Sequence, residues 1–197
     1  MHLDKKIRRM AAKGIVRPRD LEEQGIPRSR LYALRDQGLL TAVGRGLYTV
    51  ADPDITENHT LALVAKSVDH GVMCLLTALR FHGLTTQAPH QVWVAIHGDA
   101  HKPVIDYPPT RVVRMTGEAV TAGMEKHSIE GVPVRVYGAA KTVADCFKFR
   151  NKIGTDVAIE ALRDFLSRRG RKIDELQKFA RICRVTNVMR PYVESIA

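Results

Sequence analysis

The spacing of apolar residues predicts three helices in the first forty positions of the chain. In the first and third stretches, leucine, isoleucine or methionine recurs every three or four residues, which is typical of a helix with one buried face. The predicted helices span 2–12, 18–24 and 27–37, and a glycine follows each of them closely. In the third helix, Leu31 and Leu34 form the inward side, so the opposite side faces solvent.

After Gly38 the pattern changes to short runs of residues that favour strands. The runs 40–43 and 47–50 flank the sequence Gly44-Arg45-Gly46, which predicts a β-hairpin with Arg45 at its tip. Three helices followed by a hairpin, in about fifty residues, is the layout of a winged helix-turn-helix, a DNA-binding fold.

A polar, acidic and proline-containing stretch at 51–54 predicts a connector between two domains. We therefore predict a winged helix-turn-helix domain over residues 1–52 and a second domain over residues 57–197. In the second domain, helical and strand-like patterns alternate, which predicts a mixed α/β (α+β) fold with a small sheet flanked by helices. The predicted elements are helices at 56–70 and 75–81, strands at 91–96, 111–114 and 132–137, and helices at 140–149, 155–167, 173–183 and 188–196.

Basic residues outnumber acidic residues, and the excess is concentrated at the N-terminus. The chain has 31 Lys and Arg against 21 Asp and Glu, which gives a net charge of +10 and a pI near 9.8. Residues 1–50 hold six of these ten charges. Such a balance points to a polyanionic partner, and the helix and hairpin pattern favours double-stranded DNA as that partner.

The remaining composition predicts a cytoplasmic protein without a membrane partner. Apolar runs such as 72–76 and 92–96 are far shorter than the ~20 residues that a membrane-spanning helix needs. The N-terminus is charged but lacks the apolar core of a secretory signal. The three cysteines, Cys74, Cys146 and Cys183, are widely spaced, as expected for buried thiols in a reducing compartment.

The outward face of the third helix carries the predicted DNA contacts. Its side chains lie three and four positions apart, so they share one face that can read base edges in the major groove. These residues are Arg28, Ser29, Tyr32 and Arg35. Arg45, between two glycines at the hairpin tip, suits the narrow minor groove. Phosphate contacts are predicted for the other basic residues of this region, Arg17, Arg19, Lys5 and Lys6. The alternatives are a solvated charged face or a winged-helix module that binds proteins.

The sequence contains no known catalytic motif, so we predict no enzymatic activity, no catalytic residue, no cofactor and no metal site. It lacks a phosphate-binding loop, a nucleophile elbow and a pair of close cysteines for zinc. His97 and His101, with Asp99 or Asp106, come nearest to a metal site, but the pattern predicts surface histidines in a loop. No acid, Glu125 included, lies on a predicted strand in the arrangement that a nuclease needs.

Two features of the second domain leave alternatives open. Lys141 and Asp145, four apart on a predicted helix, indicate either a routine ion pair or a carboxylate in a binding cleft. Two basic clusters, at 148–152 and 168–172, are either cations favoured at a helix C-terminus or a second patch that contacts DNA or an acidic protein.

The chain resembles the AbiEi family of antitoxins along nearly its whole length, through a series of short motifs in a fixed order. The motifs are GRGLY at 44–48, LLTAL at 75–79, HGL at 82–84, VWVAI at 92–96, VVR at 112–114, GVPV at 131–134 and KTVADC at 141–146. Lys141 stands where the family often has arginine. The resemblance implies a non-enzymatic protein of a bacterial toxin–antitoxin system that acts in abortive infection and phage defence.

The resemblance further implies two activities. The winged helix binds the promoter of its own operon and represses transcription, and the second domain counters a nucleotidyltransferase-type toxin, with or without direct contact. The first alternative is a stand-alone transcriptional regulator whose second domain binds a ligand or dimerises. The second alternative is an enzyme that acts on nucleic acid.

Overall fold

The computed structural model of the chain describes residues 2–53, 55–170 and 172–196. These residues form two compact units, and neither unit is one continuous stretch of chain. The first comprises the chain up to His70 with Pro103–Thr110 and His127–Val134, and the second comprises Gly71–Lys102, Arg111–Lys126 and the chain from Arg135 onwards. The predicted fold class is confirmed, because helices and a two-stranded sheet precede a five-stranded mixed sheet flanked by helices.

The first unit contains the predicted three helices and hairpin. Its elements are α1 (His2–Ala12), α2 (Pro18–Glu22), α3 (Arg28–Asp36), β1 (Leu40–Gly44), β2 (Leu47–Val50) and α4 (His59–Ser67). Apolar side chains from all three N-terminal helices and the hairpin form one core, which includes Ile7, Leu21, Ile26, Leu31, Leu34, Leu40 and Tyr48. At the end of α3, Gly38 adopts a φ of 71° and the Leu39 amide donates to the Leu34 carbonyl, which ends the helix where the sequence predicts.

Helix α4 is shorter than the predicted helix over 56–70. The amide and hydroxyl of Thr56 both donate to the Glu130 carboxylate, at 2.8 and 2.9 Å, and these bonds hold Thr56 outside the helix. At the other end, Val68 leaves the helical conformation, with φ of −124° and ψ of 86°. The turn that carries Glu130 lies close to the main chain after α1, because a Cβ placed on Gly131 would fall 1.6 Å from the Lys13 carbonyl oxygen. Only glycine fits at position 131, where φ is also 71°.

The remaining elements include all the strands of the larger sheet. They are β3 (Val72–Met73), α5 (Leu75–Phe81), β4 (Val92–His97), β5 (Thr110–Met115), α6 (Glu118–Thr121), β6 (Met124–Ile129), β7 (Val132–Tyr137), α7 (Ala139–Lys148), α8 (Arg150–Ile153), α9 (Thr155–Ser167), α10 (Ile173–Ile182) and α11 (Thr186–Ile196). The strand order is β5-β4-β3-β7-β6, with β3 antiparallel to β4 and parallel to β7. The sequence interpretation missed β3 and β6, so it placed Glu125 on no predicted strand, whereas Glu125 lies in β6.

The core of the second unit surrounds α7, which packs against α5, α9 and α10. Lys141 and Asp145 lie on the buried side of α7, and their side chains are both fully buried, with Nζ 2.5 Å from Oδ2. The Cys183 thiol donates to the other oxygen of Asp145 at 3.2 Å, and Lys141 Nζ lies 4.2 Å from the centre of the Tyr137 ring. The predicted ion pair therefore forms, but it forms inside the hydrophobic core.

Candidate nucleic-acid interface

The orientation of α3 is fixed by its two buried leucines. Leu31 and Leu34 are in the core of the first unit, so the residues on the other side of the helix face solvent. Arg28, Ser29 and Arg35 are exposed. Helix α3 has nine residues and is therefore about 13 Å long, a length similar to the ~12 Å width of the major groove.

Tyr32 lies in the middle of this face and is half-buried, because its ring packs edge-on against Tyr48 of the hairpin at 6.3 Å between ring centres. The Arg35 guanidinium lies 5.5 Å from the centre of the Tyr32 ring. A guanidinium at this distance is attracted to the ring, so Tyr32 and Arg35 contact each other on the exposed face.

Arg28 and Arg35, the two arginines of the predicted face, are each paired with an acid of the same unit. Arg28 Nε donates to Glu22 at 2.8 Å, and Arg35 donates from Nε and Nη to one oxygen of Asp36, at 2.9 and 2.7 Å. The side chain of Arg28 is 63% exposed in this pair. Ion pairs so accessible to water contribute little, so a phosphate or a base edge can replace the carboxylate at small cost.

The hairpin tip presents Arg45 on a tight turn. Gly46 has a φ of 69°, and β1 and β2 pair with a bulge beside Gly44. Arg45 is exposed, and among the described residues it has no hydrogen-bond or ion-pair partner. Because Arg45 has no such partner, no ion pair within the described residues must break before its guanidinium binds an anion.

Four of the nine predicted contact residues line one cleft of about 400 Å³. They come from the start of α2, the start of α3 and the hairpin tip, and they are Arg17, Arg19, Arg28 and Arg45. Lys66 and the segment 104–107 complete the walls. The start of α2, the start of α3 and the hairpin tip therefore each place at least one arginine at this cleft.

Arg17 differs from the other three because its guanidinium is committed within the protein. It donates to Asp20 at 2.9 Å, to Asp69 at 2.6 Å and to the Lys66 carbonyl at 2.7 Å, and its side chain is only 19% exposed. Although burial opposes the shift, hydrogen bonds from Lys66 and Arg17 lower the pKa of Asp20 below its ordinary value. Arg19 is half-exposed and bonds only to Asp69 among the described residues. Arg17 therefore links α2 to the end of α4.

Lys5 lies apart from the cleft, in a groove formed by α1 and the C-terminal end of α3. Arg8, Arg9 and Gln37 line the same groove. Lys6 is exposed on α1 and lines neither the cleft nor the groove. Basic side chains consequently flank α3 at both of its ends.

The structure adds three residues that the sequence interpretation did not include. Arg30 is exposed on α3, directly after Ser29 in the sequence, and was not included in the predicted face. Val104 and Tyr107 are 79% and 55% exposed and line the arginine cleft. Their sequence context is a loop rich in proline between two strands, and nothing in that pattern indicates which surface the loop covers.

The candidate metal site does not assemble among the described residues, which bring together no group of three or more His, Cys, Asp or Glu suited to an ion. Of the acids in this loop, only Asp99 lies close to His97, with its carboxylate 3.5 Å from His97 Nδ1 among the described residues.

Among the described helices, none has the length and apolar character needed to cross a bilayer. Of the basic cluster at 168–172, Arg171 lies outside the described residues, and Arg168 donates to the carbonyls of His82 and Gly83.

Comparison with known families identifies the N-terminal segment. Residues 6–51 match the family model described as "Transcriptional regulator, AbiEi antitoxin". The match covers α1 from residue 6 onwards and all of α2, α3 and the hairpin, which carry the four arginines of the cleft and the exposed face of α3. No curated protein matches the chain significantly. The resemblance to AbiEi antitoxins is confirmed over this segment, and that family is one of regulators and not of enzymes.

Proposed function

We propose, from the AbiEi regulator domain at residues 6–51, that this protein is a cytoplasmic antitoxin that also represses its own operon by binding promoter DNA. The observation that carries the proposal is the exposed face of α3 with the arginine cleft beside it. That face lies inside the segment that matches a transcriptional regulator.

Within the module over residues 1–52, the proposed contacts follow from exposure. Arg28, Ser29, Tyr32 and Arg35 read base edges, and Arg45 enters the minor groove. Phosphate contacts come from the exposed cations Arg19, Lys5 and Lys6. Arg17 supports these contacts by holding α2 in place, because its own donors are engaged by Asp20, Asp69 and the Lys66 carbonyl.

The second domain, over residues 57–197, carries the antitoxin activity in this proposal, against a nucleotidyltransferase-type toxin of an AbiE-like, type IV system. It acts without catalysis and without a cofactor. Bound protein represses transcription because it occludes the promoter from polymerase.

Titration of the full chain with its own promoter DNA and with scrambled DNA tests the regulatory part. If about 5–8 phosphates are neutralised, log K falls against log salt with a slope of about −5 to −7. Equal affinity for both DNAs, or a flat salt dependence, would contradict sequence-specific binding through the basic face.

Co-expression with the product of the adjacent gene tests the antitoxin part. We expect growth to be rescued by the wild-type chain and also by the variant Arg28→Ala/Arg35→Ala, which loses repression but keeps the second domain intact. Failure of the wild-type chain to rescue growth would overturn the antitoxin assignment and leave the stand-alone regulator.

A further inference from the structure

The second unit contains an apolar groove between α9, α10 and α11 that the proposed function does not use. Its volume is about 520 Å³, and its floor is built from aliphatic side chains that include Leu176, Ala180, Met189 and Val193. Ile173, at its mouth, is 41% exposed. Concave, largely apolar clefts of this size between helices are typical of sites for small organic ligands.

Three arginines stand at the rim of this groove. They project from three different helices, Arg163 from α9, Arg181 from α10 and Arg190 from α11. Arg163 and Arg181 are exposed, and neither has a hydrogen-bond or ion-pair partner among the described residues. Arg190 bonds to Asn187 at 3.3 Å. Among the described residues, Glu194 is the one acid that lines the groove, so the described rim has an excess of positive charge.

We propose that this groove binds a small organic anion with an apolar body, such as a carboxylate with an aliphatic chain. The body lies on the aliphatic floor, where burial of each methylene stabilises the complex. The carboxylate lies at the rim, where guanidinium groups match it in charge and geometry. A volume of about 520 Å³ is in the range of pockets that bind small organic molecules, which favours such a ligand over a partner protein.

Titration of the full chain with decanoate tests the proposal, and decylammonium, with the same chain and the opposite charge, serves as the control ligand. The readout is NMR of the methionine methyl groups. Met189 lies in the groove, whereas Met73 is fully buried in the larger sheet. We expect saturable shifts of the Met189 signal with decanoate, an unchanged Met73 signal, and binding of decylammonium that is weaker by about tenfold.

Two variants locate the charge effect. Arg163→Gln/Arg181→Gln should weaken decanoate binding about fivefold, since exposed ion pairs are individually weak. The control Arg184→Gln removes one charge from an exposed residue just after α10 that does not line the groove, and it should leave the affinity unchanged. The unchanged Met73 signal reports that each variant is folded.

Three results would overturn the proposal. They are the absence of a saturable Met189 shift with decanoate, equal binding of decylammonium, and equal losses in Arg184→Gln and the double variant. If the first result is accompanied by binding of an acidic amphipathic peptide at Met189, the groove is assigned to a protein partner.

Discussion

The two units of this protein place charged side chains in opposite environments. In the first unit, arginines line an open cleft, and of their carboxylate partners Asp69 and Glu22 are exposed. In the second unit, Lys141 and Asp145 are enclosed by the core and contact no solvent. Water weakens the exposed ion pairs of the first unit, so their arginines can exchange partners, whereas the core of the second unit encloses both members of the Lys141–Asp145 pair.

The pKa directions follow the same division. In the first unit, bonds from Lys66 and Arg17 lower the pKa of Asp20 although burial acts against them. In the second unit, burial raises the pKa of Asp145, and the neighbouring Lys141 only opposes that effect in part. Desolvation therefore determines the direction of the pKa shift of Asp145 in the core, whereas hydrogen bonds determine that of Asp20 near the surface.

The largest effect is expected for Lys141→Met. Removal of the lysine leaves the Asp145 carboxylate buried without its partner, which should lower the free energy of unfolding by about 3–5 kcal/mol. The double variant Lys141→Met/Asp145→Leu should recover much of this loss, because it leaves no buried charge. Urea unfolding of the full chain measures both variants.

The matched control is Lys172→Met, which removes an exposed lysine bonded to Glu175 at 2.9 Å. We expect a loss below about 1 kcal/mol for it. Equal losses in Lys141→Met and Lys172→Met would show that burial of the pair has no energetic consequence, and the comparison between the units would fail.

Sequence alone predicts the elements better than it predicts the depth at which a charge lies. The helices around Leu31 and Leu34 follow from the spacing of apolar residues, because one face must be buried. The four-residue spacing of Lys141 and Asp145 predicts that they pair, but an exposed pair and a buried pair have the same spacing. Strand β6 was missed because its sequence, MEKHSI, is mostly polar, as suits the edge of a sheet.

The candidate site was predictable to the extent that its residues are close in sequence. The face of α3 follows from helical periodicity, and the hairpin tip follows from two glycines. The role of Arg17 does not, because its partners Lys66 and Asp69 lie about fifty positions away. Long-range ion pairs of this kind leave no local pattern.

The second prediction concerns the exposed side of the comparison. Arg35→Ala should weaken binding to promoter DNA by about 1–3 kcal/mol, because a bidentate contact to a guanine specifies sequence. Binding to scrambled DNA should change much less. Arg45→Ala should weaken both, since a minor-groove arginine senses width and potential more than base identity. Competition titrations with both DNAs measure the difference.

Equal losses of Arg35→Ala on promoter and scrambled DNA would identify this side chain as a phosphate contact. The base-reading face of α3 would then shift towards Arg28 and Arg30. A useful control is Arg111→Ala, which removes an arginine that stacks on Trp93 outside the segment matched by the family. It should leave the affinity for both DNAs nearly unchanged.

The third prediction separates Arg17 from Arg19, which lie two positions apart. Arg17→Gln should lower the stability of the first unit by about 1.5–3 kcal/mol, the size expected for hydrogen bonds between charged groups. Arg19→Gln should change stability by less than about 1 kcal/mol, because Arg19 is half-exposed and has a single carboxylate partner among the described residues. A larger stability loss in Arg19→Gln than in Arg17→Gln would reverse the assignment of the two arginines.

The smallest effect is expected for Glu130→Gln, and it depends on pH. Glu130 Oε2 lies 2.6 Å from His59 Nδ1, and bonds from His59 and Thr56 lower the pKa of Glu130 although burial opposes them. A carboxylate with a lowered pKa stabilises the folded state above its unfolded value of 4.5, and this contribution is lost as the pH falls through the lower folded value.

At about pH 7, where carboxyl groups are ionised, Glu130→Gln should therefore lower the free energy of local opening at Thr56 by about 1 kcal/mol. This is the typical net contribution of such a hydrogen bond. Below the folded pKa of Glu130, the wild-type chain and the variant should become alike. Hydrogen exchange of the Thr56 amide, which donates to Glu130 at 2.8 Å, reports this opening directly. Glu57→Gln removes an exposed acid one position from Thr56 and should leave the exchange unaltered at both pH values. A difference between Glu130→Gln and wild type that persists in acid would show that the Glu130 side chain acts through its shape and not through its negative charge.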